Sequence, residues 1–414
     1  MPIKSNTGVY FFRICVALVW LAARAIAGSP ETRVVAIGDV HGAYDAFVSI
    51  LQRTRLIDGN AQWIGGSVVL VQAGDVMDRG PKARASLDLL MELERQAEKQ
   101  NGRVLALLGN HEAMNMMGDL RYVNVEEYQE FATDQSGKVR EQAYQDYRNY
   151  LAARDRRRGQ VPAPDDEAGR QKWLADHPPG FFEHRDAYGP QGLYGRWLRK
   201  HDAVVQLGDV LFMHGGLDPK LHFRNLQELN DRIRSELATY DSLWLSLSDK
   251  QIIWRYMRQE EALREVQAEL SAAQSGGGTA DLQADSQMRR FLELQNGIVI
   301  YKNGPLWYRG YFEDPEEKLK GPLDKMLGRL KARHVVVGHT VPESRWITPS
   351  LDYRVFQIDT GMLRSFYHGH AAALEIQNGR FTAYYSDGEQ KVLLAPEGGG
   401  TVLPNQRGAG RAPR

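Results

Sequence analysis

Five short runs of the chain join carboxylate, imidazole and amide side chains to glycine: Gly38-Asp39-Val40-His41-Gly42, Gly74-Asp75-Val76-Met77-Asp78-Arg79-Gly80, Gly109-Asn110-His111-Glu112, His214-Gly215-Gly216 and Gly338-His339-Thr340. In an extended chain residues i and i+2 share a face, so Asp39 and His41 can grip one ion together. Oxygen and imidazole ligands without thiolate suit Mn, Fe or Zn. Asp75 carries two oxygens and can bridge that ion to a second one, which Asn110, His214 and His339 would complete. Two divalent or trivalent cations ~3.5–4 Å apart can hold a hydroxide at neutral pH and clamp phosphoryl oxygens during in-line displacement. The chemistry such a set could do is attack of a metal-bridging hydroxide on phosphorus.

Neighbours of those ligands supply further roles. Arg79 offers a planar fork for phosphate oxygens. His111 follows Asn110 but should point elsewhere, which makes it a candidate to protonate the leaving oxygen, with Asp78 orienting it. Taken singly, Gly-Asp after a strand is more often a turn or a cap. The ordered set of five is what argues for metal. Seven further histidines are expected to be surface or packed residues. They include the metal-spaced pair of His368-Gly369-His370, since six ligands already close a two-metal site.

The runs need elements to position them. Each begins where an apolar, β-branched stretch stops, and Val34 to Ile37, Val68 to Val71 and Val104 to Leu108 read as buried strands. Lys82 to Lys99 carries an apolar stripe of Leu87, Leu90, Met91 and Leu93 opposite a charged face, the pattern of a helix. Strand, helix, strand, helix, strand predicts an α/β fold with a largely parallel sheet and its polar strand ends on one edge. Strands are expected again at Ala203 to Gln206, Val210 to Met213, Val335 to Val337, Val355 to Ile358, Ala371 to Ile376 and Phe381 to Tyr385. Helical insertions at about 120–200 and 225–297 interrupt this order, the second with a flexible joint at Ser275-Gly276-Gly277-Gly278-Thr279. In the first insertion Arg154 to Arg158 reads as a solvated helix end, and Trp173, Phe181, Phe182, Tyr188, Tyr194 and Trp197 as packing for its core.

In this order, and ending strands, the five runs resemble the calcineurin-like metallophosphoesterases, and more narrowly the phosphoprotein phosphatase branch. Gly74 to Gly80 with its Asp-Arg-Gly, Gly109 to Glu112 and the extended His214-Gly215-Gly216-Leu217-Asp218-Pro219 carry the narrower match. The resemblance covers Val34 to Ile376 outside the insertions. It implies a central β-sandwich flanked by helices, a first metal on Asp39, His41 and Asp75, and a second on Asp75, Asn110, His214 and His339. It also implies an acid dyad of His111 with Asp78 and a phosphate clamp at Arg79. Leu108 stands where the Ser/Thr phosphatases have Arg, and no SAPNYC-type segment follows Ile358-Asp359-Thr360-Gly361. Instead, Asn303 to Tyr311 looks like the Shewanella-like phosphatases, which makes Arg309 a candidate second clamp. Gly338-His339-Thr340-Val341 lacks the second His of many phosphodiesterases, which favours monoesters. The expected substrate is thus a phosphorylated protein or a small phosphoester. A periplasmic nucleotidase, a dinucleoside polyphosphate hydrolase or a broad-range scavenging phosphatase is the alternative.

Composition bounds the rest. The 414 residues, 43% of them hydrophobic, can bury a large core. Fifty-two basic residues balance 52 acidic ones, which argues against a nucleic-acid partner. A single cysteine, Cys15, excludes an intramolecular disulfide and a thiolate zinc site. Lys4 and Arg13, the apolar run Ile14 to Ala23 and then Ala25-Ile26-Ala27 read as a signal peptide over 1–27. The run is short of the ~20 residues that span a bilayer, so no stable membrane insertion is expected after cleavage. The expected product is a periplasmic or secreted catalytic domain over 28–395, free of thiols. Residues 396–414, rich in Gly, Pro and Arg, are expected to be disordered.

Overall fold

The computed structural model describes residues 32–162, 164–274 and 281–396. The signal segment over 1–27, the joint at 275–279 and the tail beyond Pro396 lie outside the described residues.

In chain order, β1 (Val34–Ile37), α1 (Tyr44–Arg53), β2 (Val69–Gln72), α2 (Ala83–Glu98), β3 (Arg103–Ala106) and α3 (Asn110–Met117) form the first unit. The first insertion follows as α4 (Val125–Phe131), α5 (Ser136–Arg157), α6 (Glu167–Asp176), α7 (Phe181–Tyr188) and α8 (Leu193–Leu198). After β4 (Val204–Leu207) and β5 (Val210–Met213), the second insertion supplies α9 (Leu226–Asp249), α10 (Gln259–Gln274) and α11 (Leu282–Glu293). The chain then makes α12 (Gly310–Glu313), α13 (Glu316–Leu330), β6 (His334–Val337), β7 (Thr348–Ser350), β8 (Val355–Gln357) and α14 (Arg364–Tyr367). It closes with β9 (Ala372–Gln377), β10 (Arg380–Tyr385) and β11 (Gln390–Leu394).

Two sheets result, ordered β11-β10-β9-β1-β2-β3 and β4-β5-β6-β8-β7. Alternate residues of a strand face opposite ways, and here both faces are apolar. Val34, Ala36, Val69 and Val71 meet Val210, Phe212, Val336 and Phe356 between the sheets. Val35, Ile37, Leu70, Leu211 and Val335 turn outward to the helices, including Leu87, Leu90 and Leu93 of α2. The first sheet is more mixed than the sequence suggested. β1, β2 and β3 are parallel, but β9 pairs antiparallel with β1 and is extended by β10 and β11. Of these C-terminal strands, β9 pairs the side of β1 that β2 leaves open. β5, β6 and β8 are also mutually parallel, so both sheets send strand C-termini to one edge.

The insertions pack as helices around one aromatic cluster. Phe181, Phe182 and Tyr188 are fully buried, Tyr194 and Trp173 nearly so, and Trp197 half-buried. The Arg154–Arg158 cluster is no solvated helix end. Arg154, Arg157 and Arg158 pair with Glu265 and Glu269 of α10, because the second insertion lies against α5 and brings opposite charge to it.

Candidate active site

The strand ends deliver every ligand candidate to one place. Asp39 and His41 follow β1, Asp75 to Arg79 follow β2, Asn110 and His111 open α3 after β3, and His214 and His339 follow β5 and β6. Backbone strain concentrates here. His41, Asp75, Asp78, Arg79 and His339 all have φ between 48° and 69°, the left-handed region that L side chains avoid. Two glycines permit the close approach of loops. A Cβ on Gly338 would lie 2.3 Å from Asp39 Oδ1, and one on Gly109 2.3 Å from Asp75 Oδ1.

His214 donates Nδ1–H to Ala73 O at 2.9 Å, which leaves the Nε2 lone pair facing inward. That Nε2 lies 2.8 Å from Asn110 Oδ1, 3.2 Å from Asp75 Oδ2 and 3.0 Å from His339 Nδ1. Four acceptor atoms thus converge with at most one hydrogen among them, the arrangement a cation satisfies and a proton alone does not. The donor set fits a hard or borderline metal ion. His41 is held alike, its Nδ1 on Met77 O at 2.9 Å, so Nε2 turns toward Asp39 Oδ2 and Asp75 Oδ2, each 3.7 Å away. His111 Nε2 is also 3.7 Å from Asp75 Oδ2. Two ligand-capable trios therefore share Asp75: His41 with His111, and His214 with His339. Asp39 joins from the side, its Oδ1 accepting the His339 N–H at 2.9 Å.

Charge in the site follows from burial and neighbours. Burial raises the Asp75 carboxyl, but the His214 and His111 rings outweigh it and hold Asp75 well below the usual carboxylate range. Burial pushes Asp39 well up, with Asp359 and Asp75 adding to it. Burial also holds His41 and His339 neutral. It works against charge on His111 too, yet Asp75 and Asp78 outweigh it and raise that imidazole above its usual value.

His111 Nδ1 is hydrogen-bonded to Asp78 Oδ2, and Asp78 Oδ1 accepts from Asn115 Nδ2 at 2.9 Å. Arg79 Nη1 lies 2.7 Å from His41 Nε2 and bonds the Tyr367 hydroxyl, with the guanidinium set among the rings of Tyr122, Phe366 and Tyr367. Its backbone is tied to the root of the first insertion: Arg79 N donates to Tyr122 O at 3.0 Å, and Asn124 Nδ2 donates to Arg79 O at 2.8 Å. Arg309 reaches the other side of the site, where Nη1 donates to His339 O at 2.7 Å and to Thr340 Oγ1 at 3.0 Å. His368 and His370 belong to neither trio; His370 packs on Trp346 and Tyr385.

Some site residues escaped the sequence reading. Glu112 accepts the N–H groups of Gly109, Asp75 and Val76 at 2.8–2.9 Å and so fastens two ligand loops together. Its Gly-x-x-Glu spacing, an acid at the third helical position, was the available signal. Asp359, pushed up to about 6 by burial, lies beside Asp39. Tyr367 comes from a distant segment, and no local pattern marks it.

Ligand loops at the edge of a two-sheet sandwich, with a carboxylate shared by two trios, define a metal-dependent phosphoester hydrolase. The calcineurin-like phosphoesterase family model matches residues 32–343, well over half of the chain, and the chain belongs to that family. It is 25% identical over 336 residues to Shewanella-like protein phosphatase 1 of Plasmodium berghei, covering 80% of this chain and 67% of that one. It is 33% identical over 213 residues to Shewanella-like protein phosphatase 2 of Arabidopsis thaliana, covering 50% of this chain and about half (51%) of the plant protein. Among solved structures, the cold-active protein-tyrosine phosphatase of a psychrophilic Shewanella species superposes with a TM-score of 0.55 at 24% identity, over 89% of this chain and 83% of that one. At that identity the likeness speaks for the fold.

Proposed function

We propose that this protein is a phosphomonoesterase acting on phosphorylated proteins, of the Shewanella-like type. The observation that carries the reading is the convergence of Asp75, Asn110, His214 and His339 beside a buried His111–Asp78 pair. The similarity to the two Shewanella-like phosphatases supports the choice of substrate. Asp39, His41 and Asp75 would hold one cation and Asp75, Asn110, His214 and His339 the other, drawn from Mn, Fe or Zn. Bound there, the pair supplies Lewis-acid activation of water and of the phosphoryl group. Arg79 binds the phosphoryl oxygens from its aromatic cage, and Arg309 adds charge from the His339 side. His111 carries the proton for the leaving oxygen, Asp78 fixes its tautomer and ring, and Asn115 holds Asp78.

The test is a panel of phosphotyrosine peptide, phosphoserine peptide, mononucleotide and diadenosine tetraphosphate, offered to purified enzyme loaded in turn with Mn, Fe and Zn, with bound metal measured alongside. A phosphopeptide with the highest kcat/KM is expected, and a nucleotide preference overturns the reading. We also propose export by the 1–27 leader. N-terminal sequencing should find a chain starting at Gly28 outside the cytoplasm, and a full-length cytoplasmic chain overturns that.

A further inference from the structure

A pocket of about 240 Å³ lies beside the ligand residues Asn110 and His339. Its walls touch both: Asn110 Nδ2 is 3.7 Å from Met114 Sδ, and the Trp307 ring lies 6.0 Å from the His339 ring. Met114, Met117, Ile300 and Trp307 give it an apolar wall, and the other five lining residues are polar or charged. The Trp307 indole N–H is satisfied by Val299 O at 3.0 Å, so the ring offers only its carbon surface.

One polar side chain in this lining stands out. The amide nitrogen of Gln295 is buried and has no hydrogen-bond partner among the described residues. The Gln259 amide is answered by the Tyr240 phenol oxygen, whose own proton goes to Met117 O. Buried donors without acceptors are rare in folded proteins, and each calls for an acceptor from elsewhere. The unanswered group is an N–H donor beside an apolar wall, which fits an acceptor group flanked by hydrocarbon. A peptide carbonyl beside an apolar side chain has that chemistry. A nucleobase edge brings donors of its own.

We propose that this pocket receives the residue next to the phosphorylated one in a polypeptide substrate, its side chain on the methionines and its carbonyl on Gln295. The inference rests on the phosphoprotein phosphatase reading and names the part of the substrate that the enzyme reads. Met114 follows Asn110 by four residues of α3, about 6 Å along the axis. An extended peptide advances ~3.3–3.6 Å per residue, so the occupant sits one or two residues from the ester. Methionine adapts to many shapes, so the pocket selects apolar character over one side chain. At the mouth, Lys302 is exposed and makes no ion pair among the described residues, whereas Arg121 is held by Asp119. An acidic residue further along the substrate meets Lys302.

The test uses the metal-loaded enzyme and the ratio of kcat/KM for a Leu-flanked, Glu-containing phosphopeptide to that for 4-nitrophenyl phosphate. In Gln295→Leu the ratio should fall about tenfold, the factor for one lost hydrogen bond, chiefly through KM. Lys302→Glu changes only an exposed side chain, and should lower the ratio about threefold and favour a Lys-containing peptide instead. A fall in either variant supports the pocket, and an unchanged ratio in both overturns it. Failure of the parent reading looks different: the unsubstituted enzyme would then cleave nucleotides and leave every phosphopeptide intact.

Discussion

At the strand ends, His41, His111, His214 and His339 are buried against carboxylates and an amide oxygen; in the first insertion, His177 and His184 are buried just as deeply against aromatic rings. His177 stacks on Trp173 with ring centroids 4.2 Å apart and bonds Trp173 O at 2.8 Å, the same backbone anchoring that orients His41 and His214. His184 lies among Tyr128, Phe131 and Tyr188, with Glu127 at 3.6 Å. There burial drives the acid up and the imidazole down, so both are held neutral. Depth of burial therefore does not separate ligand from packing. What separates them is whether several acceptors from different strand ends converge on the free ring nitrogen, as they do at His214 and not at His184.

That contrast can be broken in order of effect. Asp75→Asn keeps the shape and removes the shared charge: turnover should fall at least about 10³-fold and bound metal should disappear from elemental analysis. Full activity with two metals bound would erase the distinction between the regions. Trp173→Ala should do the reverse, with a loss of about 3–5 kcal/mol and a Tm lower by roughly 5–10 °C, while kcat of the folded protein stays within about twofold. A large kcat loss there would mean that the insertion's aromatic core takes part in the chemistry.

A smaller effect concerns pH. Burial lowers His177 from 6.5 to about 4, so it is neutral in the fold when the unfolded chain has taken a proton. Its contribution to stability is complete above pH 6.5 and is lost as pH falls from 6.5 toward 4. Tm should fall less steeply over that window in His177→Phe than in the unsubstituted protein, and equal slopes would show that the stack does not control the titration. Smallest is Arg158→Ala, which removes contacts to Glu265 and Glu269 between the insertions. A loss of about 1 kcal/mol, shrinking with added salt, is expected in thermal melts.

Much of the site was legible because each ligand run ends a strand, so that chemistry and position sit in the same few letters. Asp75 and His214 could be read this way although 139 positions apart, because their parallel strands end at a common edge. The third strand, β3, stops at Ala106 rather than Leu108, since the chain must turn to bring Gly109 against Asp75. β7 and β11 went unread: β7 has three residues and a proline, and β11 is largely exposed, so neither shows an apolar run. Asp359 and Tyr367 act through neighbours that only folding supplies. The Arg154–Arg158 cluster was misread for the same reason, because its partners lie more than 100 residues away on α10.

The two backbone bonds that tie Arg79 to Tyr122 and Asn124 have a consequence for how such enzymes diversify. Asn124 also caps α4, so the peptide that carries the guanidinium proposed to bind phosphate is joined to the first helix of the insertion. On the proposed roles, the angle at which phosphate is met is inherited from that helix, while the metal ligands hang from the strands. Exchange of the insertion would thus retune substrate approach and leave the hydrolytic centre as it stands.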